Sequence, residues 1–309
     1  MTASAILGPV QTAFELGLIC ALTVLALYLS YSMLNVCDLS TDGCFTMGAA
    51  VGAAVALAGH PYLSIPAAMA AGVCSGLITA VLQTKLGVNS LLAGIIVNTG
   101  LYSVNIAIMG GSSLLNLNKT ETVFTKVKAL LENTPLAGQY KLLVALVFVA
   151  VVVLFLSFFL RTRLGLSIRC TGDNPDMVRS SSINPARMTI IGLCISGAIT
   201  ALSGCLLAQA QKSMDINIGT GMVTIALASL LIGGTILGKG GVTVRAIGVV
   251  LGSIIFRLVY TIALRFNMPA FMLKAVSSVI VVLAISLPYL KSQKDTLLRR
   301  FGKGGRTKC

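Results

Sequence analysis

The chain has 309 residues, of which 56% are hydrophobic and only 10% charged, and its mean hydropathy is +0.94. A soluble domain carries about 25% charged residues, so this composition excludes a water-soluble fold and makes lipid the solvent. The net charge of +14 comes from loops and a tail: no Lys or Arg precedes Lys85, and twelve of the 23 basic residues lie in 161–187 and 291–309. Basic loops beside apolar runs are topology signals drawn to anionic lipid, which argues against a nucleic-acid partner.

In chain order, nine apolar segments are long enough, or nearly so, to cross about 30 Å of hydrocarbon: 13–35, 43–59, 64–84, 88–110, 141–160, 188–210, 219–237, 243–265 and 270–290. All are expected to be helical, because an open sheet edge cannot sit in lipid. The expected fold is an all-α polytopic bundle of about nine transmembrane helices, one transmembrane domain over 1–290 followed by a basic tail, 291–309. The second and seventh segments are short and interrupted by glycine.

The basic loops place 161–187 and 291–309 in the cytoplasm. Counting back five spans puts the N-terminus and the 111–140 loop outside and Lys85 inside. In that outer loop Val123, Val127, Leu130 and Leu131 share one face of an expected short amphipathic helix.

Polar residues inside greasy segments are the candidates for function. Asn98 and Asn105 are seven apart with Tyr102 between them, so the three share a helix face. That stripe fits either a cavity wall or hydrogen bonds between helices. Asp38 and Asp42 precede the short second segment, and Asp215 precedes the short seventh, 177 positions after Asp38. With GVCSGLI (72–78) and GVVLGSI (248–254), this spacing fits an inverted repeat, in which transport sites form between the halves. Arg257 lies mid-segment, where a charge costs about 2.5–3.5 kcal/mol on insertion scales. It is expected to pair with Asp38, Asp42 or Asp215, or to line the path. Asn98, Tyr102, Asn105, Asp38, Asp42, Asp215 and Arg257 are therefore the candidate residues of a translocation path.

Two features point away from catalysis. Gly233–Gly240 nearly matches a phosphate loop, but position 240 is Gly where a magnesium-ligating hydroxyl is needed, and a tight turn with Lys239 facing inside is expected instead. The eight cysteines form no CxxC, and His60 is the lone histidine, which leaves a metal site or disulfide framework without support.

The polar segment TRLGLSIRCTGDNPDMVRSSSINPARM (162–188) interrupts the apolar pattern. Asp173 or Asn174 suits an N-cap, Pro175 the first helical position, and Asp176 the positive end of the helix dipole. A short helix exposing Met177, Val178, Arg179 and Ile183 is expected on the cytoplasmic face; a solvated basic loop fits the same residues.

This segment resembles the coupling-helix region of permeases in the branched-chain amino acid and ribose branch of ATP-binding-cassette importers. LIGGTILGKGG (231–241) is similar to the same family's Gly-rich segment. DLSTDGCF (38–45), QTKLGVNSLLAGI (83–95) and LYSVNIAIMGG (101–111) resemble an amino-acid subgroup, uncharacterised or tryptophan-type. The likeness runs from about 14 to 290, and by it the chain is expected to have one N-terminal span fewer than the ribose type, in keeping with an external N-terminus. The resemblance implies a permease without catalytic residues in a bacterial inner membrane. It implies a separate ATPase subunit that binds ATP and magnesium and grips Gly172, Asp173, Asn174, Pro175, Asp176, Met177, Val178, Arg179 and Ile183. It also implies an extracytoplasmic solute-binding protein and a second permease copy in a homodimer, with no cofactor of the chain's own. An amino acid is the expected solute, with a sugar or nucleoside as the alternative. The spans alone also fit an ion-coupled transporter or channel, with Asp38, Asp42 and Asp215 coupling to protons or ions.

Overall fold

The computed structural model describes residues 3–131, 137–237 and 240–265, with isolated positions beyond. The expected span 270–290 lies largely, and the tail 291–309 wholly, outside the described residues.

The described chain is helical almost throughout. Helix α1 (Ala3–Leu27) continues as a π-helical segment, Tyr28–Met33, and is followed by α2 (Thr41–Leu57), α3 (Ser64–Thr84) and α4 (Ser90–Ile108). Beyond a short strand β1 (Leu114–Asn116) come α5 (Val123–Leu131), α6 (Tyr140–Phe159), α7 (Arg163–Asp173) and α8 (Pro175–Ser180). Then follow α9 (Pro185–Gln211), strand β2 (Ser213–Asp215), α10 (Met222–Leu237) and α11 (Val242–Arg265). Six helical stretches, from α1, α3, α4, α6, α9 and α11, are long and apolar enough to cross a membrane. Helices α2 and α10 coincide with the expected second and seventh spans but have 17 and 16 residues. At 1.5 Å per residue each reaches only about 25 Å.

The bundle is organised around α1 and α9, whose apolar windows are 78% buried, against 28–33% for the other long helices. The two run antiparallel: Ser203 Oγ donates to the Ile19 carbonyl (2.7 Å) and Ser196 Oγ to the Ala26 carbonyl (3.0 Å). Helix α9 packs chiefly on α3 and α2, and α1 packs chiefly on α11. Lipid offers helices no hydrophobic drive to associate, so close backbone approach through small residues supplies the packing. Gly48 and Gly52 of α2 lie against Ala201 and Cys205 of α9, and Gly72 and Gly76 of α3 against Gly197 and Leu193. The glycines of the second repeat sequence sit differently. Gly248 and Gly252 face Gly233 and Ser229 of the adjacent α10, so GVCSGLI and GVVLGSI share spacing but not a partner.

Three local expectations are revised. Gly233–Leu237 is not a turn but the last part of α10, with Gly233 against the Gly248 carbonyl; Gly238 and Lys239 lie outside the described residues. Helix α5 buries Val123 and Phe124 while Leu130 is 78% exposed, because the supporting core ends beneath the first turns. The two strands were unforeseen. They pair antiparallel, Leu114 opposite Asp215 and Asn116 opposite Ser213, and bring buried Leu117 and Met214 over the ends of α2 and α9. Their partners are about a hundred residues apart, so no local pattern announces them.

Adding one methyl at Gly48 or Gly76 drives a Cβ into the Ala201 or Leu193 carbonyl. Gly48→Ala and Gly76→Ala are each expected to destabilise by about 1–3 kcal/mol, read as a lower Tm of the detergent-solubilised protein. Gly100, with nothing within 4 Å of the position a Cβ would take, is the control: Gly100→Ala is expected to leave Tm unchanged or slightly raised.

Candidate functional site

Two features stand apart from the packed bundle. The first is a cavity of about 380 Å³ where the start of α2, the middle of α4 and the 216–220 turn meet. Asn89 caps α4, its Oδ1 accepting from the Leu91 N–H at 3.0 Å. Gly94 and Gly43 let α4 close on the start of α2, with Gly94 against Leu39 and Gly43 against Asn98. The polar stripe of α4 then faces α2, and Asn98, Tyr102 and Asn105 all line the cavity. Asn105 Nδ2 donates to the Gly43 carbonyl at 3.3 Å, while its Oδ1 is buried and has no hydrogen-bond partner among the described residues. Both readings of the stripe are thus realised, since Asn105 bonds to α2 while standing in a cavity wall.

Asp42 joins them. Its carboxylate reaches from the first turn of α2 to the first turn of α10, accepting from the Gly221 N–H (2.9 Å) and the Val223 N–H (2.8 Å). The left-handed Gly221 (φ 85°) turns the chain into α10, and Gly219 lies against the Asp42 carbonyl and Thr46 Oγ1. A carboxylate at this end also meets the positive pole of the helix dipole.

The structure does not bring the other candidates here. Asp38 is buried in the turn before α2, accepting from Ser40 N–H (2.9 Å) and Ser40 Oγ (2.6 Å); Ser40 Oγ in turn accepts from Thr79 Oγ1 of α3 (3.1 Å). It shapes the approach to α2 rather than the cavity. Asp215 is exposed in β2 and accepts from the Asn217 N–H at 2.7 Å, fixing the turn whose Asn217 and Thr220 line the wall. Arg257 departs furthest from expectation. Among the described residues it pairs with no carboxylate: its Nη2 lies 3.0 Å from Cys20 Sγ of α1 and its guanidinium sits over the Tyr260 ring. It is on α11 facing α1, with Gly17 making room for its Cβ. Sequence reading missed Thr46, Asn217 and Thr220. Thr46 was findable, being one helical turn beyond Asp42.

The second feature is the polar segment. It contains two helices rather than one. Thr162 Oγ1 caps α7, accepting from the Gly165 N–H at 3.3 Å, a start signal eleven residues before the expected helix. Helix α7 is clamped to the bundle: Ile168 is fully buried with Leu34, Ala80, Met188 and Leu193. Gly172 lies against the Met33 carbonyl and Leu34, at the π-helical end of α1. The chain extends at Asn174 (φ −156°, ψ 99°), and α8 begins. Asn174, not Asp173, is the cap, its Oδ1 accepting from the Asp176 and Met177 N–H groups at 3.1 Å, with Pro175 in the first turn. Arg179 pairs with Asp176 at 3.2 Å on the surface.

Met177 is 65% exposed, as expected, but Val178 is only 2% exposed. A six-residue helix cannot present consecutive side chains on one side; residues 100° apart split between solvent and support. Val178 anchors, Met177 projects, and Ile183, half-buried, packs back on the cluster around Ile168.

The family described as branched-chain amino acid transport system, permease component, matches residues 11–285. A tyrosine transport system permease protein of Clostridioides difficile is 33% identical over 267 residues, 86% of each chain. An uncharacterised protein of Rickettsia prowazekii is 34% identical over 72% of this chain and 75% of its own. A ribose import permease protein of Escherichia coli is 26% identical over 80% of this chain and 75% of its own. No solved structure matches the chain. This helical bundle, with a polar cavity between α2, α4 and the turn into α10 and matched along nearly its whole length, belongs to the branched-chain amino acid permease family of ATP-binding-cassette transport systems.

Proposed function

We propose that this permease carries an amino acid inward across a bacterial inner membrane, driven by a separate ATPase subunit that binds the ATP and magnesium. The similarity to a tyrosine permease over 86% of both chains carries the choice of solute class. The ribose permease is less similar and supports a sugar as the second reading. The proposed topology has nine spans, with α2 and α10 as short members of the bundle and the ninth in 270–290. Helices α1–α3 and α9–α11 are two inverted halves. Their order, long helix, short helix, long helix, supports this, as does the antiparallel course of α1 and α9. The N-terminus and the β1–β2 face are external; α7, α8 and the tail are cytoplasmic. A solute-binding protein delivers to the external face, and a second copy of the chain completes the permease.

The ATPase grips α8. Met177, Asp173, Asp176 and Arg179 are exposed there, and Val178, Gly172 and Ile183 hold the grip to the bundle. Met177→Asp is expected to reduce co-purification of the ATPase by roughly tenfold or more, the effect of losing an apolar anchor. Asn174→Ala removes the cap at about 1 kcal/mol and is expected to speed hydrogen exchange of the Asp176–Ser180 amides about fivefold. Amino-acid uptake by vesicles holding this chain alone, driven by an ion gradient without ATP, would overturn the ATP-driven reading in favour of an ion-coupled transporter.

The orientation has its own test. In a cysteine-free background of intact cells, Asn118→Cys in the β1–α5 loop is expected to react with a membrane-impermeant thiol reagent, and Met177→Cys only after permeabilisation. The reverse pattern would invert the topology.

A further inference from the structure

The cavity between α2, α4 and the 216–220 turn has an unbalanced chemistry. Its wall carries one carboxylate, Asp42, and among the described residues no Lys, Arg or His. The rest of its polar lining is amide and hydroxyl. One acceptor there is stranded: Asn105 is 1% exposed, and its Oδ1 has no donor. A buried acceptor without a partner costs about 1–3 kcal/mol, so a ligand that donates to it recovers that penalty. At about 380 Å³ the space is at the small end of ligand sites, which span about 300–1,000 Å³. Tyr102, half exposed in the same wall, adds an aromatic face of the kind that attracts cations.

Among the described residues, Asp42 is held by two N–H groups and by no cation. The same carboxylate that lines the cavity closes the first turn of α10. A ligand ammonium brought beside it competes with those two N–H groups, and a full positive charge is the stronger partner. The Gly221 and Val223 N–H groups so released lie directly behind the Asp42 carboxylate, next to the lining residue Thr220, at a helix end that favours anions.

We infer that the cavity is a recognition site for an α-amino acid zwitterion. The ammonium is taken by Asp42, with the Asn98 and Asn105 amide oxygens, and the carboxylate replaces Asp42 on the first turn of α10. Binding therefore exchanges the two Asp42 bonds from α2 to the start of α10 for a solute held between them. This deepens the amino-acid reading above and rests on it.

The chain contains no tryptophan, so Thr99→Trp, at an exposed position of the cavity wall, gives the purified full-length protein in lipid nanodiscs a single fluorescent reporter. The probes are tyrosine, tyramine, N-acetyltyrosine and ribose. Tyrosine is expected to give the tightest saturable response and tyramine a weaker one. N-acetyltyrosine, without an ammonium, is expected to bind at least roughly tenfold more weakly than tyrosine, the scale of a charge-assisted hydrogen bond. Asp42→Asn keeps one acceptor for the α10 cap and removes the charge; it is expected to weaken tyrosine and tyramine roughly tenfold. Should that variant fail to fold, Asn105→Leu tests the same wall and is expected to weaken tyrosine as well. Equal binding of tyrosine and N-acetyltyrosine, ribose binding as tightly as tyrosine, no response to tyrosine or tyramine, or unchanged binding in Asp42→Asn overturns the inference. Cellular uptake separates this from the wider reading. If deleting the chain leaves tyrosine uptake unchanged while the zwitterion still binds, the importer assignment fails. If uptake requires the chain but neither it nor binding responds to Asp42→Asn, the zwitterion site fails.

Discussion

Every backbone N–H and C=O within a membrane must find a partner in the protein, because lipid offers none. A helix that ends short of the membrane surface breaks that rule at its first turn, where the leading N–H groups have no carbonyl behind them. Helix α10, apolar and only 16 residues long, has such a first turn, and Asp42 accepts two N–H groups at its start from another helix. Much of the cavity follows from that bond. The turn from β2 into α10 must lie over the start of α2, so Asn217 and Thr220 come to stand opposite Asn98 and Asn105. Asp215, fixing the Asn217 N–H, sets the entry to the same turn.

The surrounding bundle is held by a different means. Serine hydroxyls of α9 and α11 bond to carbonyls of α1, and glycines of α2 and α3 let α9 approach to backbone contact. Individually such hydroxyl bonds contribute about 0.6 kcal/mol in membranes. Close approach adds dispersion along whole helices, and it leaves little slack for side chains to absorb a shift. Gln209 extends the network to the β1–β2 face, accepting from the Val123 N–H of α5 and donating to Ser64 Oγ of α3. One amide thereby ties three elements whose sequence positions gave no hint of contact.

Eight of the nine expected spans have helical counterparts, because long apolar runs and charge-rich loops are strong, local signals. The shared face of Asn98, Tyr102 and Asn105 was legible for the same reason: it depends only on helical periodicity. What escaped depended on contacts between distant segments. Nothing in the spacing of three aspartates distinguishes Asp42, which reaches α10, from Asp38, which folds back on Ser40. Arg257 was expected to seek a carboxylate, yet its helix faces α1, where Cys20 and the neighbouring Tyr260 are what it meets. Val178 and Met177 looked equivalent as apolar residues in a polar loop, and only the packing of α8 on the bundle separates them.

The junction at Asn174 has a mechanical consequence. Six residues of helix standing alone would melt under load, since an isolated turn and a half is far below the length at which helices hold together in water. Here the short piece is welded through its cap to α7, and α7 lies without any intervening side chain on the final carbonyls of α1 at Gly172. A push delivered at the tip would travel through Asn174 and Gly172 to one of the two helices at the centre of the bundle, along the lines of a bell crank.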